Sequence, residues 1–441
     1  MTNDRSLDRL ARLIRIPTIS RPDAADTDWA AFSALRDALQ EQFPLAHKRL
    51  EREVVAEHTL LMRWPGTDPT LPPAILMAHQ DVVDPGDVAS WAHDPFGAEI
   101  IDGVMHGRGT IDDKGSLVAI LEAVEGLIAT GFAPQRDVIL VFGHDEETNG
   151  TGAKAAAAVL AERGIAPAFV LDEGGAIVEG VLPGLSRPVA VVGLSEKGVG
   201  SFRLRVAETG GHSSTPPPLS AIGRLARAIT RIDAKPFPAS LTEPTRKMFA
   251  AAGQAADGRY GWLYRNIGWT APILRAALIR GGPETAAMTR TTRVTTMING
   301  GHAQNAIPER AEAIVNCRIL PGETIESVIA HLRAAIDDPI VEVGVVQGWD
   351  PAPISPTEGY GWDLIGEILA EQQPDVVRLP YTQNGATDSR SFTGLTRAVY
   401  RFAPFHLTSA ERGALHAIDE QLRVSSWLAG VEFYSAMIRR L

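Results

Sequence analysis

Up to about residue 195 the chain alternates strand-like and helix-like runs, and this alternation restricts its fold more than any other feature. PAILMAHQDVV (73–83), RDVILVFG (136–143) and PAFVLDE (167–173) read as buried strands. Between them, KGSLVAILEAVEGLIATG (114–131) and GAKAAAAVLAERGI (152–165) read as helices, with Gly or Pro nearby. A parallel neighbour needs a long crossover, so such a chain is expected to build an α/β fold, a mostly parallel sheet covered by helices.

Beyond residue 196 the pattern changes. GSFRLRVAE (200–208) alternates like a half-exposed strand, and a helix follows at 220–232. Strands are expected at 291–300, 309–320 and 341–348, with a second helix at 324–336. Two helices on an antiparallel sheet make a ferredoxin-like α+β unit. The expected division is 1–196 and 353–441 as two segments of one domain, with 197–352 inserted between them. Residues 236–290 form an extra helical stretch carrying Trp262 and Trp269, read as packing, an oligomer contact or the lining of an apolar substrate pocket.

With 441 residues there is ample core for two or three domains. No apolar run approaches the roughly 18 residues that span a bilayer, so no membrane partner is expected. Leu7, Leu10, Ala11 and Ile14 share one helical face before Pro17, giving a docked N-terminal helix rather than a signal peptide. A net charge of −11 argues against a nucleic-acid partner. The lone Cys317 excludes an intrachain disulfide and a Cys-rich metal site, and fits a reducing cytoplasm.

Ligands bind beyond the C-terminal ends of strands in open α/β sheets. Here three expected strands end in ionisable residues: His79-Gln80-Asp81, Asp145-Glu146-Glu147 and Asp172-Glu173. A glycine-flanked loop, GRGTIDDKG (107–115), adds Asp112 and Asp113. Adjacent like charges repel, and burial raises that cost; a bound cation reverses it. With no cysteine cluster available, the donors suit zinc, cobalt or manganese in a hydrolytic site. A competing pattern, Gly150-Thr-Gly152-Ala-Lys-Ala155, resembles a dinucleotide fingerprint. Its glycines lie several residues past the strand, behind three acids that would repel a pyrophosphate.

MAHQDVV, GRGTIDDKG, HDEETNGTG, LDEGG, GHSSTPP and LHAIDE together resemble the M20 metallopeptidase and aminoacylase family, from about residue 10 to 435. The EKG after the third strand and the long insert resemble its carboxypeptidase S and N-acyl-amino-acid hydrolase branch. The resemblance implies two zinc ions per subunit. His79 and Glu173 would bind the first, Glu147 and His416 the second, and Asp112 would bridge them. Asp172 is the lesser alternative to Glu173. Asp81 would orient His79, Glu420 would play a similar part for His416, and the Asp112–Asp113 peptide would be cis.

By the same resemblance Glu146 is the general base acting on a metal-bridging water; Asp145 is read as a helix-capping or loop-stabilising acid, or as catalytic. His212 would reach the partner's active site in a homodimer and help hold the oxyanion. Asn305 and Arg318 would contact substrate, Arg318 as the bidentate partner of a carboxylate. The TDSR stretch (387–390) would shape the pocket, with Arg390 in a structural salt bridge or as a second carboxylate contact. The implied activity is hydrolysis of an N-acyl amino acid or short peptide next to a free carboxylate. A dipeptidase or carboxypeptidase, and a non-catalytic binding protein on the same scaffold, are the alternatives.

Overall fold

The computed structural model describes residues 3–180 and 182–441. Its larger sheet has ten strands. The three strands expected to carry chemistry lie side by side at its centre, parallel, in the spatial order Val138–Gly143, Ala74–His79, Phe169–Asp172. Their C-terminal ends therefore open on one edge. Successive side chains point to opposite faces. Leu76, Ala78, Leu140 and Phe142 face the helices Lys114–Ala129 and Val424–Arg439. Ile75, Met77, Ile139 and Val141 face the helix Thr151–Glu162. Burial on both faces explains why these strands read as unbroken apolar runs.

The sheet is mostly parallel, as expected, with antiparallel pairs towards both edges. Glu51–Val55 and Thr59–Trp64 form an antiparallel hairpin beside Val138–Gly143. Its turn uses Ala56 and Glu57 at positive φ (48° and 68°). Without the usual Asn-Gly or Asp-Gly pair, that turn leaves little trace in sequence.

The smaller sheet has four antiparallel strands in the order Thr292–Gly300, Arg310–Ile319, Gly198–Ala207, Glu342–Trp349. The helices Ala221–Ala234 and Ile325–Ile336 cover one face around Phe202, Leu204, Val315 and Leu332. This is the ferredoxin-like arrangement. Four helices between Glu243 and Ala287 pack elsewhere. Met248, Phe249, Leu274 and Leu278 close over Val189 and Leu379 of the larger sheet.

Candidate metal centre

His79 is the last residue of its strand and is buried. Its Nε2 lies 2.9 Å from Asp112 Oδ1, and its Nδ1 lies 3.0 Å from the Asp81 carbonyl and 3.3 Å from Asp81 Oδ1. The fully buried Asp81 carboxylate also accepts from Ser20 Oγ (2.6 Å) and from the backbone N–H groups of Glu146 and Glu147 (3.2 Å each). One side chain thus fixes an imidazole and the start of the acidic loop together. Burial works against a charged ring at His79, but Asp112 and Asp81 hold its pKa well above the ordinary value.

Asp112 meets two histidines through different oxygens. His416 Nε2 lies 3.0 Å from Oδ2 and 3.1 Å from Glu147 Oε2. His416 adopts φ 58°, a left-handed conformation uncommon outside glycine. The loop bearing Asp112 hangs from Glu420. That buried carboxylate accepts from Arg108 Nη1 (2.7 Å) and from the N–H groups of Gly109 (3.0 Å), Ile111 (2.8 Å) and Asp112 (3.1 Å). Glu420 therefore positions the loop bearing Asp112, not His416 as expected. Sequence pairing favoured the nearer neighbour; the fold brings in a loop more than 300 residues away. The Asp112–Asp113 peptide is cis.

The three consecutive acids divide their tasks. Asp145 caps the helix Thr151–Glu162, accepting from Thr151 N (2.8 Å), Thr151 Oγ1 (2.6 Å) and Gly152 N (2.9 Å). The same bonds remove the dinucleotide reading, because a carboxylate occupies the N–H groups a phosphate would need. Glu147 joins His79 and Asp112 in a group whose ligand atoms all lie within 4.8 Å of one another. Glu173 stands outside that group, yet Asp112, Asp113, Asp172 and Glu146 all act on it electrostatically. Asp172 is engaged elsewhere, accepting from Ser389 N at 2.8 Å and Glu173 N at 3.0 Å.

These residues suit divalent cations. Burial, then the Asp112 charge, pushes the Glu147 carboxyl up to about 7. Burial is also the main cause holding Glu146 and Glu173 well above the carboxylate range. Hydrogen bonding to Asp112 and Glu147 raises His416 to about 10. Protons here do what cations would do, offsetting crowded negative charge. Glu147 Oε1 is buried with no hydrogen-bond partner among the described residues, leaving an acceptor for a cation.

The remaining residues lie in the smaller sheet and its loops. His212 and Ala306 pair in a two-stranded ladder, and Ser213 N donates to the Asn305 carbonyl (3.1 Å), so His212 and Asn305 are neighbours. His212 is exposed, its Nδ1 2.7 Å from Ser214 Oγ. Arg318 is exposed at the end of Arg310–Ile319, and among the described residues it forms no ion pair. Among the described residues Arg390 forms no structural salt bridge: it donates to the Thr387 carbonyl (2.8 Å) and lies over the Trp349 ring (4.8 Å). The sequence reading missed Asp388 as an individual. Its carboxylate is buried with neither oxygen hydrogen-bonded among the described residues, and the Cβ of any residue replacing Gly143 would fall 2.2 Å from Oδ2. The signal was a glycine ending a core strand, where a side chain would collide.

The description Peptidase family M20/M25/M40 matches residues 75–440. The chain belongs to this family. It is 37% identical over 437 residues to "Probable carboxypeptidase S-like 2" of Dictyostelium discoideum, covering 98% of this chain and 84% of that one. It is 34% identical over 434 residues to "N-fatty-acyl-amino acid synthase/hydrolase PM20D1" of Homo sapiens, covering 97% and 86%. In fold this M20 chain is similar to the M20 metallo-carboxypeptidase Sso-CP2 of Sulfolobus solfataricus (TM-score 0.70, 17% identity, 98% of each chain). It also resembles human carnosine dipeptidase 1 (TM-score 0.64, 15% identity, 99% and 96%). The M20 protein is a metal-dependent amide hydrolase.

Proposed function

We propose that this protein is a di-zinc amidohydrolase acting on N-acyl amino acids, at the amide bond next to a free α-carboxylate. The observation that carries the reading is Asp112, whose two carboxylate oxygens face two different imidazoles. Asp112 would therefore be shared between two cations, with His79 and Glu173 holding one, and Glu147 and His416 the other. Cobalt or manganese would suit the same donors. The acyl preference rests on the relatives' names, which include both an N-fatty-acyl-amino acid synthase/hydrolase and a carboxypeptidase S-like protein.

When bound, the cations supply Lewis acidity and lower the pKa of water. Glu146 takes the proton from the attacking water and returns it to the leaving nitrogen. Asp81 keeps the His79 ring and the Glu146 and Glu147 backbone in one register. Arg318, which pairs with no carboxylate among the described residues, takes the substrate carboxylate. Asn305 lies beside His212 and contacts substrate with it. His212 donates to the developing oxyanion.

We infer that His212 does so in the partner subunit of a homodimer. Its exposure supports this, as does the edge strand Thr292–Gly300 with Val294, Met297 and Ile298 uncovered. The change of sheet between Glu196 and Gly198 supports a catalytic domain of 1–196 and 353–441 and an inserted lid and dimerisation domain of 197–352. No helix among the described residues is long and apolar enough to cross a membrane, and the single thiol, Cys317, is buried; both are compatible with the cytoplasm we assign.

Metal analysis of the purified protein, with a hydrolysis panel crossing acyl length against amino-acid identity, tests the reading. About two equivalents of metal per chain and cleavage of acyl amino acids are expected. Metal-free activity, or peptide cleavage with no acyl amino acid cleaved, would refute it.

A further inference from the structure

The helical stretch 236–290 presents an apolar face that none of the described residues covers. In the helix Ile267–Arg280, Leu274 and Leu278 are buried against the body, while Trp269 and Ile273 are 61% and 56% exposed on the opposite side. A helix apolar on both faces is normally buried on both. Trp269, Ile273, Ala276 and Arg280 follow the spacing of one helical stripe. Trp262 of the preceding helix, 50% exposed, meets Trp269 edge-on with ring centroids 5.1 Å apart.

Charge says what kind of surface this face suits. Residues 236–290 hold seven basic and three acidic residues, a net +4, so the rest of the chain carries −15. Arg246, Arg259, Arg265, Arg275 and Arg280 are exposed, and none forms an ion pair among the described residues. Lys247 instead pairs with Glu243 and cancels one of the acids. Exposed tryptophans on a stretch of net positive charge, with Arg280 on the Trp269–Ile273 stripe, match the boundary of an anionic bilayer. The rings lie at headgroup depth there, and the guanidinium groups reach phosphate. A second copy of the chain fits less well. A two-fold contact would set this positive patch against itself, and a head-to-tail contact would not close.

We propose that the Trp262–Trp269 face docks the protein on anionic lipid bilayers, with the strongly negative remainder of the molecule turned away from the surface. This revises the expectation of no membrane partner, since lacking a spanning run does not exclude surface binding. The inference does not depend on the substrate assignment.

The test is co-sedimentation of the metal-loaded protein with vesicles. One set is phosphatidylcholine alone; the other is equal parts phosphatidylcholine and phosphatidylglycerol. Wild type should pellet with the mixed vesicles only and be released by salt at roughly molar strength, where charge is screened within a few ångströms. Trp262→Ser with Trp269→Ser, and separately Arg275→Glu with Arg280→Glu, should each weaken binding at least about tenfold. Both should leave hydrolysis of a short-chain soluble substrate unchanged, which also reports that they fold. The proposal is overturned if wild type stays in the supernatant, or if both variants bind as it does. It is equally overturned if the tryptophan variant converts a wild-type oligomer to a smaller species, because another copy would then cover the face.

Discussion

Glu420→Gln offers a sharp test of how the centre is held. The substitution keeps the size of the side chain but replaces one oxygen with a donor. In the structure every neighbour of that carboxylate is itself a donor: Arg108 Nη1 and three backbone N–H groups, at 2.7 to 3.1 Å. Arg108 is 1% exposed and would lose its only ion-pair partner among the described residues, keeping the Ala417 carbonyl. Breaking a buried pair from one side costs about 3–5 kcal/mol. At least one of the backbone donors would also face an amide N–H₂, adding about 1–3 kcal/mol unless the loop moves. Movement is the easier course, and it carries Asp112 with it. Urea unfolding should show a loss of about 3 kcal/mol or more, and a chelator titration should show metal affinity reduced roughly 10–100-fold. A variant that melts within about 1 kcal/mol of wild type and retains its metal would refute this account of the loop.

Other outcomes follow from the same geometry. Glu146→Gln should keep its metal and lose roughly 10²–10⁴ in kcat, whereas Glu147→Gln should lose metal; the reverse pattern in elemental analysis would exchange their roles. Replacing the substrate carboxylate by an amide should cost a few kcal/mol in kcat/KM, and Arg318→Met should remove that discrimination; equal rates for acid and amide with wild type would end the case for Arg318. Differently tagged Glu146→Ala and His212→Ala chains, co-expressed and purified as the mixed dimer, should regain one working site per dimer. Activity of the mixed dimer no higher than either parent would place His212 in its own subunit or outside the chemistry.

The central strands and the smaller sheet were legible because their residues obey one period throughout. Ile75, Met77, Ile139 and Val141 go to one face of the large sheet, and Leu76, Ala78, Leu140 and Phe142 to the other. The hairpin at 51–64 was not legible, since Ala56 and Glu57 carry its turn without a glycine. Motif resemblance supplied a ligand set, and the fold brings His79, Asp112, Glu147 and His416 together. What motifs could not supply is which buried acid holds which loop. Glu420 was paired with its sequence neighbour, although its hydrogen bonds go to residues 108–112. Such contacts depend on docking the last segment against the first, and no local pattern records that.

Three adjacent acids at the end of a core strand are costly, and the structure explains why each is present. Asp145 spends its charge on the first turn of a helix, where N–H groups face it. That cap fixes the near end of the helix, and the Asp145 carbonyl, accepting from Asn149 N (2.9 Å) and Gly150 N (2.7 Å), closes the tight turn that holds Glu146 and Glu147. Their own N–H groups are then taken by Asp81, which also orders the His79 ring. The backbone of Glu146 and Glu147 and the His79 imidazole are thus set by a single residue, Asp81. Moving any one of them displaces the others. The arrangement is poor for stability, because Glu146, Glu147, Glu173 and Asp388 are all held above their ordinary pKa chiefly by burial. A chain selected for stability alone would place apolar or neutral residues at these positions. The cost is offset only by what binds between them, so the acidic run records a cation-dependent chemistry rather than a requirement of the fold.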